Sequence, residues 1–115
     1  MQVTLYRIEH ESHHMGPFVH SAIWAFMDRD YHTKQNGFPV PNEDGIPLSP
    51  WDMGERVCAC ESLRQLLKWF PAKVIRELRK RGYKVAVYKV DDSVVLYGHT
   101  QVVFDPLTAE RVVFK

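Results

Sequence analysis

The stretch from Gly54 to Phe104 constrains the fold more than any other part of the chain. A short strand pattern, Arg56 to Cys60, runs directly into Ser62. With Gln65 three residues on, Ser62 makes the Ser-x-x-Gln form of a capping box. Leu63, Leu66, Leu67 and Phe70 then recur at helical spacing, and Pro71 stops that helix. A second helix is predicted from Ala72 to Lys80, burying Val74, Ile75 and Leu78, with Gly82 as its C-terminal cap. From Lys84 to Val90 the period changes to two, as in a strand covered on both faces. Asp91-Asp92 turns the chain into Val94 to Tyr97, and Gly98 turns it into Gln101 to Phe104. Asp105-Pro106 leads to a terminal strand, Glu110 to Phe114.

The preceding residues must fold back over this unit. Val3 to Ile8 reads as a strand with Val3, Leu5 and Arg7 on one face; if both faces are covered, Arg7 needs a partner or a cleft. His10 to Phe18 is polar and His-rich and ends in the Gly16-Pro17 turn signal. Ser21 can cap a helix over about 22–31, with Ile23, Phe26, Met27 and Tyr31 as its stripe. Residues 33–53 hold Pro39, Pro41, Pro47 and Pro50 and the turn dipeptides Asn36-Gly37 and Asp44-Gly45. Phe38, Val40, Ile46, Leu48 and Trp51 give this long loop enough apolar surface to pack as a lid. The order of elements predicts one α+β domain, residues 1–115, with a mostly antiparallel twisted sheet and about three helices.

Charge narrows the choice of partners only locally. The net charge of +1 gives no whole-molecule attraction to nucleic acid or membrane. Between Arg64 and Lys89, however, nine bases face one acid, Glu77, whereas acids outnumber bases from Asp28 to Glu61. A solvated helix face and a polyanion site both account for the basic run. Cys58 and Cys60 are the only cysteines, and a disulfide between strand residues at this spacing would be strained. This points to a reducing compartment. With no leader-like start and no long apolar run, a cytoplasmic protein is expected, without a membrane partner.

Several chemistries are weakly encoded. His10, His13 and His14 with the two thiols do not make a zinc knuckle, so no metal is expected. Cys58 or Cys60 could act as a nucleophile only if His20 or His99 came within hydrogen-bond reach. No phosphate-binding Gly motif precedes a helix. The basic helix Lys73 to Arg81 with Trp69 or Tyr83 could serve a nucleic acid. Both aromatics adjoin apolar stripes, and core packing explains them better.

Three short stretches carry a resemblance. Tyr6-Arg7-Ile8 opens the chain ahead of Gly16-Pro17-Phe18; Cys58-Ala59-Cys60-Glu61-Ser62-Leu63 leads a strand into a helix; Val85 to Val90 precedes Gln101-Val102-Val103-Phe104. In this order the chain resembles the ADP-ribosyltransferase fold, and it also resembles small uncharacterised phage and prophage proteins. The resemblance implies NAD as cofactor, held by Arg7 and Tyr6 on the first strand and by Cys60 and Ser62 in the middle. It puts Gln101 where the family carries its catalytic carboxylate. Gln101 has no charge to set against a developing oxocarbenium ion, so Glu61 or Asp105 would have to supply it.

Two functions are therefore expected. One is a phage or prophage accessory protein that binds a host protein complex, for instance to inhibit host defence. The other is an NAD-dependent ADP-ribosyltransferase or NAD-binding enzyme, with Arg7 and the Gln101 region lining one pocket. The acidic loop or the basic helix would serve the first of these.

Overall fold

Strand β1 (Gln2–His10) is the element on which the others assemble. The computed structural model describes residues 1–12, 14, 16, 44–48 and 54–114, the last two without their side chains. The helix expected over 22–31, His13, His20 and all but 44–48 of the predicted lid lie outside the described residues.

β1 is longer than its apolar pattern suggested, because Glu9 and His10 continue the pairing. It runs antiparallel to β3 (Tyr83–Asp91), from Gln2 opposite Asp91 to His10 opposite Tyr83. On its far side β3 pairs antiparallel with β6 (Ala109–Phe114), with a register shift at Val87/Tyr88. β3 is thus the centre of a three-stranded sheet, which explains the unbroken burial of Val85, Ala86, Val87 and Tyr88.

A second antiparallel sheet has β5 (Val102–Phe104) at its centre, flanked by β2 (Val57–Ala59) and β4 (Leu96–Tyr97). One pair of residues joins the sheets. Tyr6 and Cys60 exchange both backbone hydrogen bonds, at 2.8 and 2.7 Å, and pairing between β1 and β2 stops there. The single twisted sheet expected from sequence is therefore two sheets joined by one bridge. The three residues of β2 are too few to carry the ladder further along β1.

The two faces of β1 feed two cores. Ile8, Cys60, Tyr83 and Val85 pack with Leu66 and Phe70 of α1 (Leu63–Trp69) and with Ile75 and Leu78 of α2 (Ala72–Arg79). Leu5, Ala86, Tyr88 and Val90 pack on the other face with Ala59, Val95, Val102 and Phe104 of the second sheet's side. Among the described residues there are two α-helices.

Local chemistry sets the helix ends. Ser62 Oγ accepts from the Gln65 amide at 3.1 Å, as the capping pattern requires. The Gln65 side chain reaches one residue further than expected and accepts from the Glu61 amide at 2.9 Å. After α2 the chain reverses at Gly82 (φ 88°), whose amide donates to the Arg79 carbonyl at 3.1 Å. No helix among the described residues is long and apolar enough to cross a membrane.

Candidate functional site

Alternation along β1 puts Leu5, Arg7 and Glu9 on one face, and the last two are charged groups where a core is expected. Glu9 is 0 % exposed and Arg7 8 %. Their burial is tolerable because the neighbouring strands bring polar partners to the same face. Leu5 lies opposite Tyr88 on β3, and Tyr88 lies opposite Arg111 on β6.

The result is a buried ion cluster spanning three strands. Arg7 Nη1 donates to Glu9 Oε2 at 2.8 Å, and Arg111 Nη2 lies 2.8 Å from Glu9 Oε1. The Tyr88 hydroxyl donates to the same carboxylate, 2.9 Å from Oε2 and 3.0 Å from Oε1. It accepts in turn from Arg111 Nε at 3.2 Å and Nη2 at 2.9 Å, and the Arg111 guanidinium sits 5.5 Å from the Tyr88 ring centroid. Burial is the largest influence on the Tyr88 phenol and raises its pKa, which keeps the proton that Glu9 accepts. The Arg111 bond acts the other way. His14 Nδ1 stands 3.7 Å from Glu9 Oε1 at the more exposed side of the cluster.

Arg7 is only partly satisfied. Nη1 also donates to the His14 carbonyl at 3.3 Å, but Nε is buried with no hydrogen-bond partner. Nη2 lies toward Gly16, where a Cβ would come within 3.2 Å of it.

A second buried carboxylate belongs to the predicted lid. Asp44 is 2 % exposed and binds the two-residue tip, His99-Thr100, of the β4–β5 hairpin. Its carboxylate accepts from the Thr100 amide at 2.9 and 3.1 Å and from Thr100 Oγ1 at 3.1 Å. Its carbonyl accepts from the His99 amide at 2.9 Å. A Cβ at Gly98 would fall 2.6 Å from Asp44 Oδ2 and 2.8 Å from its carbonyl oxygen, so only glycine admits this approach. Trp69 Nε1 secures the same tip from the helix side, donating to the Thr100 carbonyl at 2.9 Å. Part of the predicted lid is therefore fastened to a hairpin.

The residues singled out in the sequence fall into two places. Tyr6 and Cys60 form the inter-sheet bridge, and Gln101 comes one step beyond the Ala59–Val102 pair, beside Cys60. Exposed Glu61 and the cap Ser62 follow at once in the chain. Arg7 is apart from this row. Tyr6 and Cys60 belong to the helix-side core, and Val102 to the opposite one, so alternation turns Gln101 toward the helices and Arg7 away from them. Among the described residues the two therefore face different sides of the strands, not one shared pocket. Gln101 is also buried, at 4 %, and its carbonyl accepts from the Gly98 amide that closes the hairpin.

The thiols are poor nucleophiles here. Burial pushes Cys60 up to about 12, with Cys58 and Glu61 adding to it. Cys58 reaches the surface, yet desolvation by the groups packed around it still raises its thiol and outweighs the Arg7 guanidinium. His10 is engaged edge-on with Tyr83, ring centroids 5.1 Å apart.

Sequence reasoning missed Glu9, Tyr88, Arg111 and Asp44 as site residues. A usable signal was present for one pair: Arg7 and Glu9, opposite charges two residues apart, continue the face begun by buried Leu5.

Comparison with known families assigns the chain as a whole. The family model described as Bacteriophage T4 Y00F protein matches residues 1–115. The chain belongs to that family. It is accordingly a small phage protein. Searches of curated proteins and of solved structures returned no significant match.

Proposed function

We propose that this Y00F-family protein is a phage accessory factor that acts by binding a host macromolecule, through the basic outer face of α1 and α2. The observation that carries the reading is the separation of charge. Arg64, Lys68, Lys73, Arg76 and Arg79 are all exposed on the two helices. The one acid among them, Glu77, is taken by Lys80 Nζ at 3.1 Å and Arg81 Nη1 at 3.4 Å. Glu77 is accordingly held below the ordinary carboxylate range, by the Lys80 bond above all. Five cations are thus left without an acid of the described residues to offset them, on a chain whose net charge is only +1. Such a face suits an acidic surface of a host protein complex, for which it accelerates encounter and sets orientation.

The NAD-dependent transferase reading has less support. It needs an anion-holding residue and a reacting-centre residue in one cleft, and the pair assigned to it, Arg7 and Gln101, turns to opposite sides of the strands. Glu61, expected to stand in for the missing carboxylate, is exposed ahead of α1.

The test is capture of host proteins from lysate on the wild-type protein and on a Lys73→Glu, Arg76→Glu, Arg79→Glu variant, at low salt and at roughly 0.5 M salt. A defined partner should be retained by the wild type at low salt, and lost from the variant and at high salt. Equal retention by both proteins would remove the basic face from the account. A rise in melting temperature with millimolar NAD, abolished by Arg7→Ala, would instead favour the transferase reading.

A further inference from the structure

We infer that the exposed leucine pair of α1, Leu63 and Leu67, anchors the partner of the basic face, and that this partner is an acidic helical segment of a protein. The inference rests on the docking role proposed for that face and adds the class of partner. Leu63 is 41 % exposed and Leu67 45 %. Both belong to the apolar stripe that runs along α1, yet only Leu66 and Phe70 of that stripe are buried in the helix-side core. The other exposed large apolar side chains of the described residues, Met1, Val94, Tyr97, Leu107 and Val112, each come from a different part of the chain. Scattered singly in this way, they need no partner. Leu63 and Leu67 differ because they stand one turn apart on one helix and so form a row.

The position of the row selects its occupant. Around α1 the leucines lie between the buried residues and Arg64 and Lys68, which are exposed and follow roughly 100° further round the helix. Lys73, Arg76 and Arg79 continue the charge on α2. A partner therefore meets an apolar row and a basic row side by side. An acidic helix with apolar residues three or four apart, flanked by Asp or Glu, matches both at once. Charge brings such a segment in and orients it. Burial of the leucines supplies the part of the binding that salt does not screen.

Nucleic acid fits the same face less well. Phosphates would engage the bases and leave the leucines unused, and base stacking needs an open aromatic ring. Trp69 packs against the helix-side core with its indole N–H donated to the Thr100 carbonyl, and Tyr83 is buried. The two aromatics beside the basic run are thus committed to the fold, whereas the two leucines are not.

The experiment titrates the full-length protein into a fluorescently labelled peptide of about five helical turns, with leucines alternately three and four residues apart and glutamate elsewhere. Anisotropy is read beside three other probes: the same peptide with serine for leucine, a single-stranded oligothymidylate, and phosphatidylglycerol vesicles. The leucine peptide should bind saturably, at least about tenfold more tightly than the serine peptide. Leu63→Gln with Leu67→Gln should bring it down to the serine peptide's affinity, with the salt dependence unchanged. Should that variant not fold, Leu67→Ala alone should still weaken binding about threefold or more. The Lys73→Glu, Arg76→Glu, Arg79→Glu variant should weaken both peptides. Equal affinity for the two peptides, or an unchanged affinity in the leucine variants, would overturn the anchor and leave the basic face standing. Tighter binding of the oligonucleotide or of the vesicles would overturn the class of partner. No saturation by the leucine peptide up to about 1 mM, or full binding by the charge-reversed variant, would overturn the inference together with the role of the face.

Discussion

Glu9 and Asp44 are both buried carboxylates, and the protein accommodates them in opposite ways. Glu9 is surrounded by charged donors, the guanidiniums of Arg7 and Arg111, with the Tyr88 hydroxyl between them. Asp44 is met by neutral donors, the Thr100 amide and hydroxyl, while its own carbonyl takes the His99 amide. The first arrangement fixes three strands by mutual charge; the second fixes a hairpin tip by geometry. The difference is one of dependence. Around Glu9 two ions, Glu9 and Arg7, are buried on account of their partners while Arg111 stays partly exposed, whereas around Asp44 the donors lose only an acceptor if the carboxylate goes.

The largest effect that follows is at Glu9. Glu9→Gln should cost about 3–5 kcal/mol in chemical denaturation, nearly as much as Glu9→Ala, because either change leaves two guanidiniums without their counter-charge. Adding Arg7→Met to Glu9→Ala should return much of that loss. A cheap Glu9→Gln would show that hydrogen bonding and not charge holds the cluster, and would erase the contrast with Asp44.

Asp44 should behave differently. Asp44→Ala is expected to cost roughly 1–3 kcal/mol, and Asp44→Asn distinctly less, since an amide oxygen still accepts from Thr100. Gly98→Ala should reproduce most of the Asp44→Ala loss, and the two together should cost less than their sum, because each disrupts the same approach. Additive behaviour would separate the hairpin from the clamp.

Ser62→Ala lies outside both regions and calibrates them. Loss of its cap bond should cost about 1 kcal/mol and add independently to either carboxylate variant. The smallest effect at neutral pH is that of the thiols, which is nil until they titrate. Cys60 holds its proton more tightly folded than unfolded, so its contribution is complete below about pH 9 and is lost as the pH rises toward about 12. Melting temperature against pH should therefore fall over that window, and Cys60→Ala should flatten the fall. Alkylation of the native protein near pH 8 should be slow at both cysteines.

The sequence made the helices legible because their determinants are local. Ser62, the Leu63–Phe70 stripe, Pro71 and Gly82 each act within one turn of the chain, and the structure places α1 and α2 accordingly. β3 was equally plain from its alternation. The candidate site was not, because it is made by pairing at long range. Nothing near Tyr88 announces that Arg111 will lie opposite it, or that Glu9 on another strand will accept its hydrogen bond. Asp44-Gly45 carried a turn signal, which accounts for the reversal there but not for the burial of the carboxylate against a hairpin over fifty residues away. Gln101 was assigned by its place in the order of strands. Which face it takes depends on a register that local pattern does not specify.

The sheet order has a consequence in time. β1 and β6, roughly a hundred residues apart in sequence, are both needed to flank β3, so the first sheet has high contact order. During synthesis, at about 5–20 residues per second, the helices can form as soon as they emerge. Glu9 and Arg7, by contrast, wait several seconds for the strand that carries Arg111. Through that interval β1 offers an unfinished charged face to the cell, and the last strand to arrive is the one that closes it.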